Sequence, residues 1–376
     1  MIYFDHAATS YPKPPDVFTA IERTLRERGG NPGRSGHRLS LAAAEQIYET
    51  RETLARFFDG GTPESFVFTH NATHALNLAL KSAVREGDHV LISDLEHNAV
   101  FRPVYRLYRD KKISFSVFQT MGDILQNIEA VRQTNSRILI CTHISNLNGQ
   151  CLPIRKIAEY CRRHRLYFIL DASQSAGHTP ISLRELDVDA LCAPAHKGLL
   201  GIQGAGFVYL RSKDGLCEYM EGGSGSHSLS PEMPDELPER YEAGTLATPA
   251  IAALCAGIGA LEAMGGAQEA EAREKALACR AKDMVASIKG TQLYAAHESS
   301  LFAFNLRGYS SEELAELLSG RGIAVRGGFH CAPLAHRALK TGEHGAVRVS
   351  FGITNRQEEL DSFYRVLCEL AFSRKR

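Results

Sequence analysis

The strongest constraint on this chain is a repeated alternation of short and long hydrophobic patterns. Between Ser65 and Ala193, brief runs rich in β-branched and aromatic residues recur: SFVFT, DHVLIS, KISFSVF, SRILICTH, LYFILDA and VDALCA. Stretches of helical periodicity lie between most of them, including NATHALNLALKSAV and PIRKIAEYCRRH (Pro153 to His164). Parallel strands need a long crossover connection, which is usually a helix. The alternation therefore predicts an α/β fold whose mostly parallel sheet is covered on both faces. GAGFVYL (Gly204 to Leu210) reads as a later strand.

An N-terminal arm precedes two helical patterns. The second, Ser40 to Phe58, begins at a serine suited to N-capping. The segment from Gly215 to Gly244 is rich in glycine, serine, proline and charge and reads as a long functional loop. Two Ala-rich helices follow, roughly Pro249 to Met264 and Gly266 to Ile288. They lead to a smaller α+β lobe containing SLFAFNL, the helix SEELAELLSG, GIAVRGG, AVRVSFG and a final helix from Arg356. The expected division is an arm at 1–15 that packs with the small domain, a large domain at 16–250, connecting helices at 251–290 and a small C-terminal domain at 291–376.

Charge gives no support to a nucleic-acid or membrane-surface role, because 43 Lys and Arg balance 43 Asp and Glu. No segment approaches the ~18 uninterrupted apolar residues of a membrane span. The opening MIYFDHAATSYPKPP does not read as a signal peptide. The nine cysteines are scattered, odd in number and without a C-x-x-C pair. Neither a disulfide framework nor a metal site is expected, and a reducing cytoplasm is.

The chemical signal lies in LYFILDASQSAG and, one strand later, APAHKGLLGIQGAG. A strand ending in Asp171 projects a carboxylate at the carboxyl end of a parallel sheet, where ligands bind in open α/β folds. His196 and Lys197 follow in a Gly-rich context. Pyridoxal 5′-phosphate (PLP) chemistry needs this pair: a lysine to form an imine and an acid for the pyridinium nitrogen. Alone, an Asp at a strand end is more often structural, and a Lys in a Gly-rich loop is usually solvated. Their joint occurrence carries the argument.

The motifs DHAATS, NPGRSGH, FTHNATHALN, EHNAV, SNLNG, DASQSAG, HKGLLGIQG, RYEAGT, RGGFHCA and VRVSFGITN stand in one order along nearly the whole chain. In this the sequence resembles the cysteine desulfurases of the class V aminotransferase family, nearest their Suf-type and selenocysteine-lyase-like branch. The resemblance implies a fold type I PLP-dependent transferase with a large mostly parallel-sheet domain and a small α+β C-terminal domain. It implies conversion of L-cysteine, or L-selenocysteine, to alanine, with sulfur passed to Cys331 as a persulfide and on to an unidentified acceptor protein. It also implies a homodimer.

By the same resemblance, Lys197 would carry PLP, Asp171 would pair with the ring nitrogen and Gln174 with the phenolic oxygen. His97 would stack on the ring. Asn71, Ala72 and Thr73 would cradle the phosphate at a helix N-terminus, with His196 adding a contact. Gly244 and Thr245 would reach it from the neighbouring subunit. Asn146 and Arg348 would receive the substrate, Arg348 clamping its carboxylate, with Arg326 nearby. Pro194 and Ala72 stand where relatives carry hydroxyls, and Phe329 where a histidine is common in the Suf-type motif. Cys331 follows Gly327 and Gly328, so its loop is expected to be mobile or tightly turned. His330 and Arg326 are candidates to lower its thiol pKa from ~8.5. Rival readings are selenocysteine lyase, cysteine sulfinate desulfinase, a β-eliminating C–S lyase, or a catalytically idle PLP-binding or sulfur-relay scaffold.

Overall fold

The arm opens with a two-residue strand, β1 (Ile2–Tyr3), in a computed structural model that describes residues 1–33 and 36–373. Arg34 and Ser35 of the NPGRSGH motif lie outside the described residues. The seven hydrophobic runs become β2 (Phe66–Thr69), β3 (His89–Ser93), β4 (Ser114–Phe118), β5 (Ser136–Thr142), β6 (Tyr167–Asp171), β7 (Ala190–Pro194) and β8 (Gly206–Leu210). They form one sheet in the order β2-β8-β7-β6-β5-β3-β4. The pairs from β7 through β4 are parallel, and only β8 runs against its neighbours.

Period-two alternation sends successive side chains to opposite faces. On β5, Leu139 packs with Leu91, Leu170 and Leu191 on one face, under the helices Arg38–Phe57, Ile154–His164 and Thr248–Ala263. Ile138 and Ile140 pack with Val90, Ile92 and Val208 on the other, under Ala72–Ala83 and Asn98–Arg109. Both faces of the central strands are buried, which is why these strands read as continuous apolar runs.

The helix expected from Ser40 begins at Arg38. His37 is its cap, Nδ1 accepting the Ser40 N–H at 3.3 Å, while the Ser40 hydroxyl donates to the Asn31 carbonyl. The segment from Gly215 to Gly244 contains only one short 3-10 turn, Glu239–Tyr241. Beyond the helix Gly266–Ser287 come β9 (Thr291–Tyr294), β10 (Leu301–Leu306), β11 (Ile323–Ala324) and β12 (Val347–Ser350). β9, β10 and β12 form an antiparallel sheet with β10 central. The GIAVRGG run yields only the short β11, which pairs in parallel with β1. Phe4 of the arm is buried against Phe351 and Phe363. Among the described residues no single helix is long and apolar enough to cross a membrane.

Candidate active site

The carboxyl ends of the parallel strands open into one cavity of about 240 Å³. Each strand delivers a side chain through the turn that follows it. After β2, Asn71 caps the helix Ala72–Ala83, its Oδ1 accepting the His74 N–H at 2.9 Å. Ala72 and Thr73 occupy the first turn, where N–H groups have no intrahelical partner. After β3, His97 caps the helix Asn98–Arg109, its Nδ1 accepting the Ala99 N–H at 3.0 Å. The ring proton therefore sits on Nε2. Burial pulls the His97 pKa down to about 4 against the opposing charge of Asp171, so the ring is neutral at pH 7.

Asn146 follows β5, Asp171 ends β6 and Lys197 follows β7. Asp171 is buried, with Oδ1 accepting the Ser173 N–H at 2.9 Å. Lys197 lines the cavity and has no ion pair among the described residues. Burial pulls its pKa down to about 8; Asp171 opposes that shift and Arg348 adds to it.

The arm braces the lysine from outside the sheet. The Thr9 hydroxyl, the Ser10 hydroxyl and the Lys13 ammonium all donate to the His196 carbonyl, at 3.0, 3.2 and 2.8 Å. The Ser10 N–H donates to the same oxygen at 3.0 Å, so the peptide joining His196 to Lys197 is held by four donors. His196 Nδ1 lies 3.1 Å from the Thr9 hydroxyl, and burial, with Lys197 next in weight, lowers its pKa to about 4. Gln174 Nε2 donates to the Ala7 carbonyl at 3.0 Å.

Arg348, on β12, is only 1% exposed. Its Nη1 donates to the Asn146 carbonyl at 3.0 Å and its Nη2 to Asp5 Oδ1 at 2.7 Å, while Nε is buried without a partner. Arg326 also lines the cavity and has no ion pair among the described residues.

Cys331 lies outside the cavity lining and is exposed. Its loop is tightly turned. Gly328 has φ +98°, and a Cβ on Gly327 would come within 2.4 Å of the Ser311 carbonyl oxygen. His330 and Cys331 are both left-handed, with φ 51° and 55°, at a cost of about 1–2 kcal/mol each. Besides its own Ala332 N–H to Phe329 carbonyl bond at 3.0 Å, the turn is held from the large domain: Asn146 Nδ2 donates to the His330 carbonyl at 2.8 Å, and the Asn98 N–H to the Cys331 carbonyl at 2.7 Å. His330 faces the cavity, and burial drives its pKa down to about 2. It is therefore uncharged at neutral pH and cannot supply the positive charge expected beside Cys331. Arg326 alone can.

Eleven expected residues thus meet around one cavity: Asn71, Ala72, Thr73, His97, Asn146, Asp171, Gln174, His196, Lys197, Arg326 and Arg348. Gly244 and Thr245 do not. They line a second cavity of about 520 Å³, beside Tyr48 and a buried Arg51–Glu242 ion pair at 2.5 Å. Asp5, Thr9, Ser10, Lys13 and Asn98 enter the site without having been singled out. Their signal was membership of the DHAATS and EHNAV motifs, or proximity to them. The cavity offers a helix N-terminus to an anion, a carboxylate to a protonated ring nitrogen, an amine to a carbonyl and a guanidinium edge to a carboxylate.

The aminotransferase class-V family model matches residues 2–363. The chain is 31% identical to a probable cysteine desulfurase of Halalkalibacterium halodurans, over 98% of this chain and 92% of that protein. It is 30% identical to a probable cysteine desulfurase of Mycolicibacterium paratuberculosis, of whose length it spans only 55%. Its fold superimposes on the apo structure of a cysteine desulfurase from Thermococcus onnurineus NA1 with a TM-score of 0.90, at 28% identity, covering 99% of this chain and 95% of that one. The match over residues 2–363 places this chain in the aminotransferase class-V family.

Proposed function

We propose that this chain is a PLP-dependent cysteine desulfurase that converts L-cysteine to L-alanine and takes the sulfur onto Cys331. One observation carries the reading: Lys197 and Asp171 face a single cavity, and exposed Cys331 directly follows the cavity-lining His330 on a turn held by Asn146 and Asn98.

The residues present fit the cofactor. Asn71, Ala72 and Thr73 supply a helix N-terminus for the phosphate, with His196 beside it. Asp171 would pair with the ring nitrogen and Lys197 would bond the aldehyde carbon. The Gln174 amide has a second N–H beyond the one given to Ala7, which suits the phenolic oxygen. Neutral His97 would cover the ring. Gly244 and Thr245, which do not line the Lys197 cavity, would serve the neighbouring subunit's site in a homodimer. The nine free cysteines suit a cytoplasmic enzyme. In this reading the arm is 1–15, the large domain 16–250, the connecting helices 251–290 and the small domain 291–376.

Bound PLP withdraws electrons from the substrate Cα. The protein's residues do the rest. Arg348 presents its unpaired Nε edge to the substrate carboxylate, already aligned by Asp5 and Asn146. The Lys197 amine, with a pKa near 8, takes the Cα proton and returns it. The Cys331 thiolate attacks the substrate sulfur. An S–S bond forms, the C–S bond breaks, and its electron pair stays on the carbon fragment, which is protonated to alanine. A sulfur bound to carbon is a poor leaving group, so the attacking thiolate is a chemical requirement. The persulfide is then open to an acceptor protein, because Cys331 is exposed.

The test is product analysis with L-cysteine and L-selenocysteine, measuring alanine, sulfide and pyruvate together. Alanine in stoichiometric excess over pyruvate supports the reading. Pyruvate and ammonia as main products replace it with a β-eliminating lyase. Turnover confined to selenocysteine replaces it with a selenocysteine lyase.

A further inference from the structure

The site contains a second buried carboxyl for which the reaction has no use. Glu96 sits between the end of β3 and His97 and is fully buried. Its Oε1 accepts the Ser93 hydroxyl and, at 2.9 Å, the Thr142 N–H. Its Oε2 is buried without a partner. Thr142 lines the cavity and stands opposite Asp171 in the β5–β6 register. Glu96 thus grips the strand beside the one that carries the ring-nitrogen acid.

An ionised carboxylate would leave Oε2 desolvated and unpaired, close to the negative charge of Asp171. Two neighbouring buried carboxyls cannot both ionise cheaply. Burial, with Asp171 adding to it, pushes the Glu96 pKa up to about 8, against the Ser93 and Thr142 bonds. The other titratable group facing it is Cys141 of β5, whose thiol is itself held neutral by burial and by Glu96. No cation faces Glu96 among the described residues to reverse this.

We propose that Glu96 is a protonated carboxylic acid at neutral pH, a positioning residue that fixes the end of β5 through Thr142 and leaves Asp171 as the sole anion beneath the cofactor ring. This rests on the PLP reading. An isosteric amide should do the same work, since Gln keeps an oxygen for Ser93 and Thr142 and carries no charge.

The sign of the pH effect follows from linkage. A carboxyl whose folded pKa lies above its unfolded value keeps its proton longer in the folded state. Its presence therefore costs the folded protein more as pH rises from the unfolded pKa of ~4.3 toward the folded one, and the cost is constant above that. Gln has no such cost. Glu96→Gln is compared with wild type as PLP-loaded protein. The Tm of the variant relative to wild type should climb as pH is raised from about 5 to about 8 and then level off. Its PLP affinity at neutral pH should stay within about twofold of wild type, because the accepting oxygen is retained. A Tm difference that is flat across that range overturns the proposal. So does a PLP affinity weakened about tenfold, which would mean that an ionised Glu96 is required. Neither readout depends on desulfuration. If the purified protein fails to bind PLP at all, the functional reading fails, while the Tm comparison in the cofactor-free protein still decides the state of Glu96.

Discussion

Arg348 Nη2 donates to Asp5 Oδ1 at 2.7 Å, joining the three-stranded sheet of the C-terminal lobe to the N-terminal arm. The pair is buried on the arginine side and leaves Nε free for a substrate carboxylate. Arg348→Ala should raise KM for cysteine strongly, with PLP binding largely intact. Truncating a buried charged partner costs ~2–5 kcal/mol. Arg348→Lys should not restore KM, because an ammonium cannot hold Asp5 and a carboxylate in one plane. Unchanged steady-state constants in either variant reject the clamp.

Lys197 should be the attachment point of PLP. The purified protein should be yellow, and borohydride should fix the cofactor to the Lys197 peptide. Lys197→Ala should carry no borohydride-fixed PLP. Fixation at another lysine in that variant would remove the assignment.

Much of this site was legible in the sequence because its residues sit at strand ends and helix starts. Asp171 closes a strand, Asn71 opens a helix, and Lys197 follows the next strand; the alternation of patterns locates all three. What was not legible is long-range. The arm's grip on the His196 carbonyl joins residues 183 or more positions apart. Helical periodicity also misplaced the start of the helix at Arg38, since His37 can cap through Nδ1 as well as a serine hydroxyl can. The neutrality of His330 comes from burial, which no local pattern records.

Three site histidines, His97, His196 and His330, are held neutral by burial, with pKa values of about 4, 4 and 2. Unfolded histidine titrates at ~6.5. Below that value the unfolded chain binds more protons than the folded one, so stability falls as pH drops from about 6.5 toward 4. Chemical denaturation at several pH values should show this loss. A His330→Gln variant should lose less stability on acidification than wild type. Equal loss in both would show that His330 does not contribute.

The site should be completed by a second copy of the chain, because Gly244 and Thr245 lie in a cavity apart from Lys197. Sedimentation should give a homodimer at assay concentration. Mixing Lys197→Ala and Thr245→Ala chains should restore one sound site per mixed dimer. An active monomer contradicts this.

The central claim is that Cys331 takes the sulfur, and single-turnover mass spectrometry with L-cysteine tests it most directly. The Cys331 peptide of the PLP-loaded protein should gain one sulfur as alanine appears. Cys331→Ala should bind PLP normally and form no alanine from L-cysteine, while selenocysteine turnover partly survives. Wild-type alanine production by Cys331→Ala, with no sulfur added at Cys331 in the parent protein, would contradict the account.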